Sequence, residues 1–319
     1  MAHAVETMAY AGEVPWHGLG VPVSNDLTPA QMMEKAGLDW TVEKLPLFAN
    51  KGGSDFRVPG KEALVRSSDN KVLDVIGEGW NPVQNEEAFE FFSEYVLAGD
   101  MEMHTAGSLK GGKMVWALAK LKESFDLLGE DTINSYLLFS NPHMYGKSID
   151  VRFTPIRVVC NNTLTLSLGA KVANSVSLNH RTEFDAESVK VALGIAHEKF
   201  ATYKETAEFL ASKRFSMDSL IRYYNDVFPR TYKGKKDITV EQVADLTTNA
   251  KKAYEVLETQ PGAEFGEGTW WQALNSVTYL TDHKMGREAD TRLTSAWFGN
   301  NQTRKVKAVE KAVEYALAS

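Results

Sequence analysis

The stretch MHTAGSLKGGKMVWALAKL, residues 103–121, reads as two β-arms around a tight turn. Residues 103–109 and 113–121 flank Lys110-Gly111-Gly112-Lys113, and consecutive glycines tolerate the positive φ that a short hairpin turn demands. The segment that follows repeats the pattern. Residues 135–140 pair with 148–159 across Asn141-Pro142-His143-Met144-Tyr145-Gly146. N-terminal to both hairpins, residues 62–66 and 72–76 form another pair across Ser67-Ser68-Asp69-Asn70, and residues 40–48 read as a further strand. Two helices interrupt the strands. One starts at Leu27 with Thr28 as N-cap and Pro29 at N1 and ends near Gly37; the other covers 85–97, where Ala88, Phe89, Phe92, Tyr95 and Val96 recur at helical spacing and Asn85 can cap. The prediction for residues 1–182 is an α+β domain, an antiparallel sheet of hairpins with packed helices.

Beyond residue 183 the apolar period changes from that of a strand to that of a helix. Val189, Leu193, Ala196, Phe200, Tyr203, Ala207 and Leu210 form a heptad seam, which either zips two chains together or docks on the chain's own sheet. Further helices are expected over 216–227, from the Thr239-Val240-Glu241-Gln242 capping box to about 257, over 269–284 and over 302–317. Residues 183–319 are therefore predicted as a helical region. Just before it, Asn161-Asn162-Thr163 is expected to cap a short helix through Leu164 and Leu166 toward Gly169.

The 319 residues, 43% hydrophobic and 24% charged, are those of a folding globular chain, with length for about two domains. No run approaches the roughly 20 apolar residues of a membrane span. Met1-Ala2-His3-Ala4-Val5-Glu6 lacks a basic n-region and an apolar run, so the expected location is the cytoplasm. The single cysteine, Cys160, excludes an internal disulfide and a multi-cysteine zinc site. The histidines show no metal-ligand spacing and there is no P-loop, so neither a metal nor a cofactor is expected. Cys160 with His143 or His180 as base stays open as a nucleophile. Its position after Ile156-Arg157-Val158-Val159 favours a buried small residue, so a catalytic role is uncertain and a non-enzymatic one favoured. Asp282-His283 with Arg287, Asp290 and Arg292 reads as a solvated ion-pair network or a binding cluster, and Trp270, Trp271, Tyr279, Trp297 and Phe298 as core.

Net charge is −7, yet residues 103–181 hold nine Lys or Arg against five acids. A strand alternates faces, so Asp150, Arg152 and Thr154 share one and leave it polar and cation-bearing. Lys110 and Lys113 flank a turn that can approach a phosphate backbone, and His104, Tyr136 and Tyr145 are candidates to stack on unpaired bases. The candidate nucleic-acid contacts are Lys110, Lys113, Lys147, Arg152, Arg157, Asn161, Asn162 and Arg181.

Four segments carry a resemblance. Pro15-Trp16-His17-Gly18-Leu19-Gly20, the run from Ile76-Gly77-Glu78-Gly79-Trp80-Asn81-Pro82 through Phe89, the central Arg152-Phe153-Thr154-Pro155-Ile156-Arg157-Val158-Val159-Cys160-Asn161-Asn162-Thr163-Leu164, and Asn275-Ser276-Val277-Thr278-Tyr279-Leu280-Thr281-Asp282-His283 together resemble the phage/plasmid-like protein family of unknown function (domain of unknown function 932). In outline the order of elements is also similar to phage single-strand annealing recombinases of the Red-beta, Erf and RecT kind. The resemblance implies a bacteriophage or mobile-element setting, and an oligomer holding single-stranded DNA in a basic groove during recombination or replication. The alternative is a non-enzymatic interaction module that binds a host or phage protein, a defence or regulatory factor, through the heptad seam and the aromatic C-terminal helices.

Overall fold

The computed structural model describes residues 5–12, 19–157, 162–163, 175–178, 186–230, 240–285 and 289–319. The fold is α+β, with strands concentrated in the N-terminal part and helices in the C-terminal part. In chain order the elements are β1 (Val5–Ala11), β2 (Val21–Val23), α1 (Pro29–Lys35), β3 (Val42–Lys51), β4 (Ser54–Arg66), β5 (Val72–Gly77), α2 (Asn85–Leu97) and β6 (Met101–Leu109). There follow β7 (Met114–Leu127), β8 (Asp131–Pro142), β9 (Ile149–Arg157), β10 (Asn162–Thr163), β11 (Ser175–Leu178), α3 (Ala186–Ser212), α4 (Met217–Val227), α5 (Thr248–Glu255), α6 (Trp270–Tyr279), α7 (Ala289–Phe298) and α8 (Asn300–Leu317). Contacts divide the chain into two compact units that alternate along the sequence. The first holds Met1–Lys122, Tyr136–Phe153 and Ser175–Ala196; the second holds Glu123–Ser135, Thr154–Asn174 and His197–Ser319.

In the first unit the larger sheet runs in the order β9-β8-β7-β6-β1-β2, with β11 paired to β9. The β6–β7 hairpin closes at Leu109↔Met114, and Lys110, Gly111 and Gly112 all take positive φ, as the glycine pair predicts. At the β1–β6 pairing a Cβ on Gly107 would overlap the Thr7 carbonyl, so the missing side chain is what lets β1 lie so close. Ala106, Leu109, Val115, Trp116, Ala117 and Phe139 are buried, and α1 and α2 cover β6, with the rings of Phe91 and Phe92 6.5 and 5.9 Å from Phe139. Thr28 caps α1 in a capping box with Gln31. Asn85, expected to cap α2, does not: its amide reaches the carbonyls of Leu38 (2.9 Å) and Trp40 (3.2 Å) instead. A buried amide with two carbonyls in reach satisfies more of its hydrogen bonds there than at the helix end.

The first unit's second sheet, β3-β4-β5, is buried only at its base, through Val42, Ala63, Leu64, Val65, Leu73 and Ile76. The sequence predicts a strand ending at Phe48. In the structure the strand continues to Lys51, turns on Gly52-Gly53 (φ 62° and 83°) and returns as β4. From Glu43 to Glu62 no residue is buried, so the two strands form a ribbon-like arm exposed on both faces. The ladder changes register between Pro46 and Phe48, where proline withholds a donor.

In the second unit α6 is buried from Trp270 through Thr278, packed by α5, α8 and the short strand β10. Trp270 sits 5.5 Å from both Tyr223 and Tyr315, Trp271 donates from Nε1 to Asp131 (2.8 Å), and the hydroxyls of Tyr224 and Ser276 bond at 2.7 Å. Trp270 and Trp271 are thus core, as expected. Phe200, Tyr203, Ala207 and Leu210 of the heptad seam are buried too, with Phe125 against Phe200 and Tyr203; the side chains of Val189, Leu193 and Ala196 lie outside the described residues.

Three local expectations are corrected. Asn162 and Thr163 pair as a strand with Arg157 and Ile156 and cap no helix; Leu164 to Gly169 lies outside the described residues. The helix expected from the 239–242 capping box opens instead at Thr247, whose hydroxyl accepts from Ala250 N–H and also donates to the Phe228 carbonyl. The helix expected to reach 284 loosens after Tyr279 into a π-turn, Leu280–Lys284, and α7, absent from the sequence expectation, follows. The π-turn turns Asp282 inward to Lys305 at 2.8 Å, with both side chains almost fully buried. The predicted Asp282 cluster is therefore no solvated network; Arg287 and the side chain of Asp290 lie outside the described residues.

Candidate nucleic-acid interface

One end of the first unit is organised around Arg66, the last residue of β4. Its guanidinium takes Glu6 by two bonds (2.8 and 3.0 Å) and Asp69 by two more (2.9 and 2.6 Å), and it lies 5.3 Å from the Trp40 ring. The fork geometry suits two carboxylates at once. Arg66 is 6% exposed, and the bonds to Asp69 and Glu6 raise its already high pKa further. The hydrogen bonds from Arg66 hold Asp69 down at about 2 and lower Glu6 despite partial burial. The network ties β1 to the β4–β5 turn.

The Lys110–Lys113 turn lies on this network. A Cβ at Gly112 would overlap Arg66 Nη1, and one at Gly111 would overlap Lys71 Nζ. Gly112 therefore serves close packing as well as turn conformation, because Arg66 is fixed by four bonds, whereas the exposed end of Lys71 can swing away from Gly111. On the other side the carbonyl of Lys113 accepts the His143 N–H (2.9 Å), which anchors the loop after β8 to the turn. His143 is fully buried, its ring 5.3 Å from Trp40 and its Nε2 3.0 Å from Asn85 Oδ1. Because the Asn85 NH2 group donates to Leu38 and Trp40, Oδ1 is the acceptor and His143 carries its proton on Nε2. Farther along the loop, Tyr145 N–H donates to Asp74 (2.8 Å), and Lys61 Nζ stands 5.2 Å from the Tyr145 ring.

These contacts place Lys110 and Lys113 beside Lys71 at the β4–β5 turn and set the Tyr145 loop, which carries Lys147, along β5 toward Lys61; the sequence reading passes over Lys61 and Lys71. Lys110 and Lys147 are exposed and Lys113 half-buried. Lys71 is also exposed, its Nζ only loosely matched to Glu6 at 3.9 Å. Arg152 does not join them as a free cation: Asp150 holds its Nε at 2.6 Å and Nη2 at 2.7 Å. Asn162 and Arg157 are placed by their backbones only, facing each other across the β9–β10 ladder, while Asn161 and Arg181, like Cys160, lie outside the described residues. Of the three stacking candidates only Tyr145 presents its ring to solvent. Tyr136 is buried against His104 at 5.1 Å, and burial, with Lys120 nearby, pushes the His104 imidazole down to about 4.

Sequence reasoning misses the Arg66–Trp40–His143–Asn85 cluster and the β3–β4 arm. The cluster has no local signal, because Glu6 and Arg66 lie far apart in the chain. The arm has one: Lys51-Gly52-Gly53 repeats the glycine-pair signature of the β6–β7 turn. A family model described as a domain of unknown function (DUF932) matches residues 72–312. No curated protein and no solved structure matches the chain. Among the described residues no helix is long and apolar enough to cross a membrane.

Proposed function

This chain belongs to the DUF932 family, a family of unknown function, and on that footing we propose that it binds single-stranded nucleic acid through the basic end of its first unit. The observation that carries the reading is the gathering of Lys61, Lys71, Lys110, Lys113 and Lys147 around one turn and one loop of an otherwise acidic chain. Arg66 offsets one of the two charges of Glu6 and Asp69, and Asp74 keeps its charge while accepting the Tyr145 amide, so the lysines still outnumber the carboxylate charges left among them. Tyr145, exposed beside Lys61, offers a face on which an unpaired base stacks. No cofactor enters such binding. In a phage or mobile element of a host cytoplasm it would serve strand annealing in recombination or replication, with several copies along one strand.

The competing reading, a module for a host or phage protein, draws on the heptad seam and the C-terminal aromatics. Phe200, Tyr203, Ala207, Leu210, Trp270 and Trp271 are buried within the chain, so that reading would draw on the rest of the seam and on Trp297 and Phe298. The test is a salt series with a labelled single-stranded oligonucleotide. Binding at about 50 mM salt that weakens linearly in log–log form as salt rises is the expected result, and absence of binding there overturns the proposal.

A further inference from the structure

We propose that the β3–β4 arm is a second contact for the same single strand, with Phe48 and Phe56 stacking on unpaired bases and Arg57 and Lys51 meeting phosphates; this rests on the binding reading above. Phe48 and Phe56 are each 56% exposed on a ribbon that contributes no buried residue between Glu43 and Glu62, so neither ring supports the core. Register places them on opposite faces. Phe48 pairs with Arg57, and directly opposed residues share a face; Ala49 pairs with Phe56 and Lys51 with Ser54, so Phe56 and Lys51 share the other. Each face therefore carries one aromatic ring and one cation, the Phe48 face adding the carboxylate of Asp55. Neither Lys51 nor Arg57 has an ion-pair partner among the described residues; Asp55, which accepts from the Asn50 amide at 2.7 Å, shares the Phe48–Arg57 face and keeps its charge, so the Phe56–Lys51 face is the more cationic of the two. Lys44, at the base, is engaged by Glu62 and the Glu78 carbonyl.

Charge complementarity selects the occupant. A free cation beside an exposed ring suits a polyanion that displays planar bases, and only an unpaired strand leaves its bases open to stacking. The arm, about 30 Å from base to tip, would give the strand a track leading away from the lysine-bearing end.

The experiment uses the full chain, labelled oligothymidylate and its duplex with oligoadenylate. The Phe48→Ala/Phe56→Ala variant is expected to bind the single strand about 5- to 150-fold more weakly per ring removed, with the salt slope unchanged. Lys51→Ala/Arg57→Ala is expected to flatten the slope by about 1.4, at roughly 0.7 per lost phosphate contact. Because both substitutions spare the core, matching thermal melts are expected. As a positive control, Phe48→Trp should keep the affinity, and the fluorescence of the introduced indole should be quenched on binding. Wild-type-like affinity of the double phenylalanine variant, or unquenched indole fluorescence from the Phe48→Trp variant on a bound strand, overturns the arm while leaving the lysine site standing. Failure of the wild-type protein to bind overturns both. An equal preference for duplex, or a change in sedimentation without a change in affinity, also overturns the arm; the latter would make it a self-association element.

Discussion

The two units each bury a cation, and they do so differently. In the second, Lys305 meets Asp282 at 2.8 Å, the two side chains 1% and 5% exposed, inside a helical layer whose central helix is buried along its length. In the first, Arg66 gathers two carboxylates, one of which, Asp69, stays in reach of water, and the lysines surrounding the cluster outnumber the acids left to them. A buried ion pair balances its own charge, whereas an arginine shared by two carboxylates offsets one of their charges and fixes both in place, so the sign of the surrounding field is set by the neighbouring lysines. The contrast locates the proposed binding surface in the first unit and a structural fastening in the second.

The largest expected effect tests the buried pair. Lys305→Met removes the ammonium that Asp282 faces in the interior and should cost about 3–5 kcal/mol in urea unfolding, while adding Asp282→Asn should recover most of the loss. A single variant that unfolds at the wild-type midpoint would remove the distinction between the units. Arg66→Ala, which frees two carboxylates of which one is largely exposed, should cost less, about 2–3 kcal/mol, and Arg66→Lys should recover only part because an ammonium lacks the fork.

Acid should act on the first unit through His104. Its folded pKa, about 4, lies below the unfolded value near 6.5, so the unfolded state binds more protons between them. That part of the stability is full above pH 6.5 and is lost as pH drops through 4, on the order of 3 kcal/mol in all. His104→Gln should flatten the dependence over this window, as read from urea midpoints at several pH values. The smallest effect on folding is expected from Lys110→Ala/Lys113→Ala, within about 0.5 kcal/mol, as for surface substitutions in general. Its salt slope for single-stranded DNA should nonetheless fall by about 1.4. A large loss of stability there would mean that the lysines belong to the fold, and the comparison would collapse.

How much of this is legible in the sequence depends on how local the cause is. The β6–β7 hairpin, the Thr28 capping box, α2 and α8 follow from neighbouring residues and are readable with their boundaries nearly right. The α5 start is ambiguous because Thr247 and Thr239 both precede plausible helix, and the choice falls to Thr247 through its bond to Phe228, far back in the chain. Asn85 misleads for the same reason, since the carbonyls that claim its amide are some 45 residues away. In the candidate site, Lys110, Lys113 and Lys147 are legible as a basic excess. The neutralising reach of Asp150 onto Arg152 is one alternation away on the same strand face, so it too lies within a sequence reading. The partners of Arg66 do not, because only folding brings residues 6, 66 and 112 together.

The molecule uses the glycine pair twice, to opposite ends. Around Gly52 and Gly53 nothing lies within 4 Å of where a side chain would begin, whereas the corresponding space at Gly111 and Gly112 is filled by Lys71 and Arg66. The first pair is thus the point of the chain most open to engineering. A peptide tag or dye-labelled residue spliced between β3 and β4 should leave the protein folded and report from the far end of the ribbon, where the same insertion between β6 and β7 would wedge the arginine cluster apart.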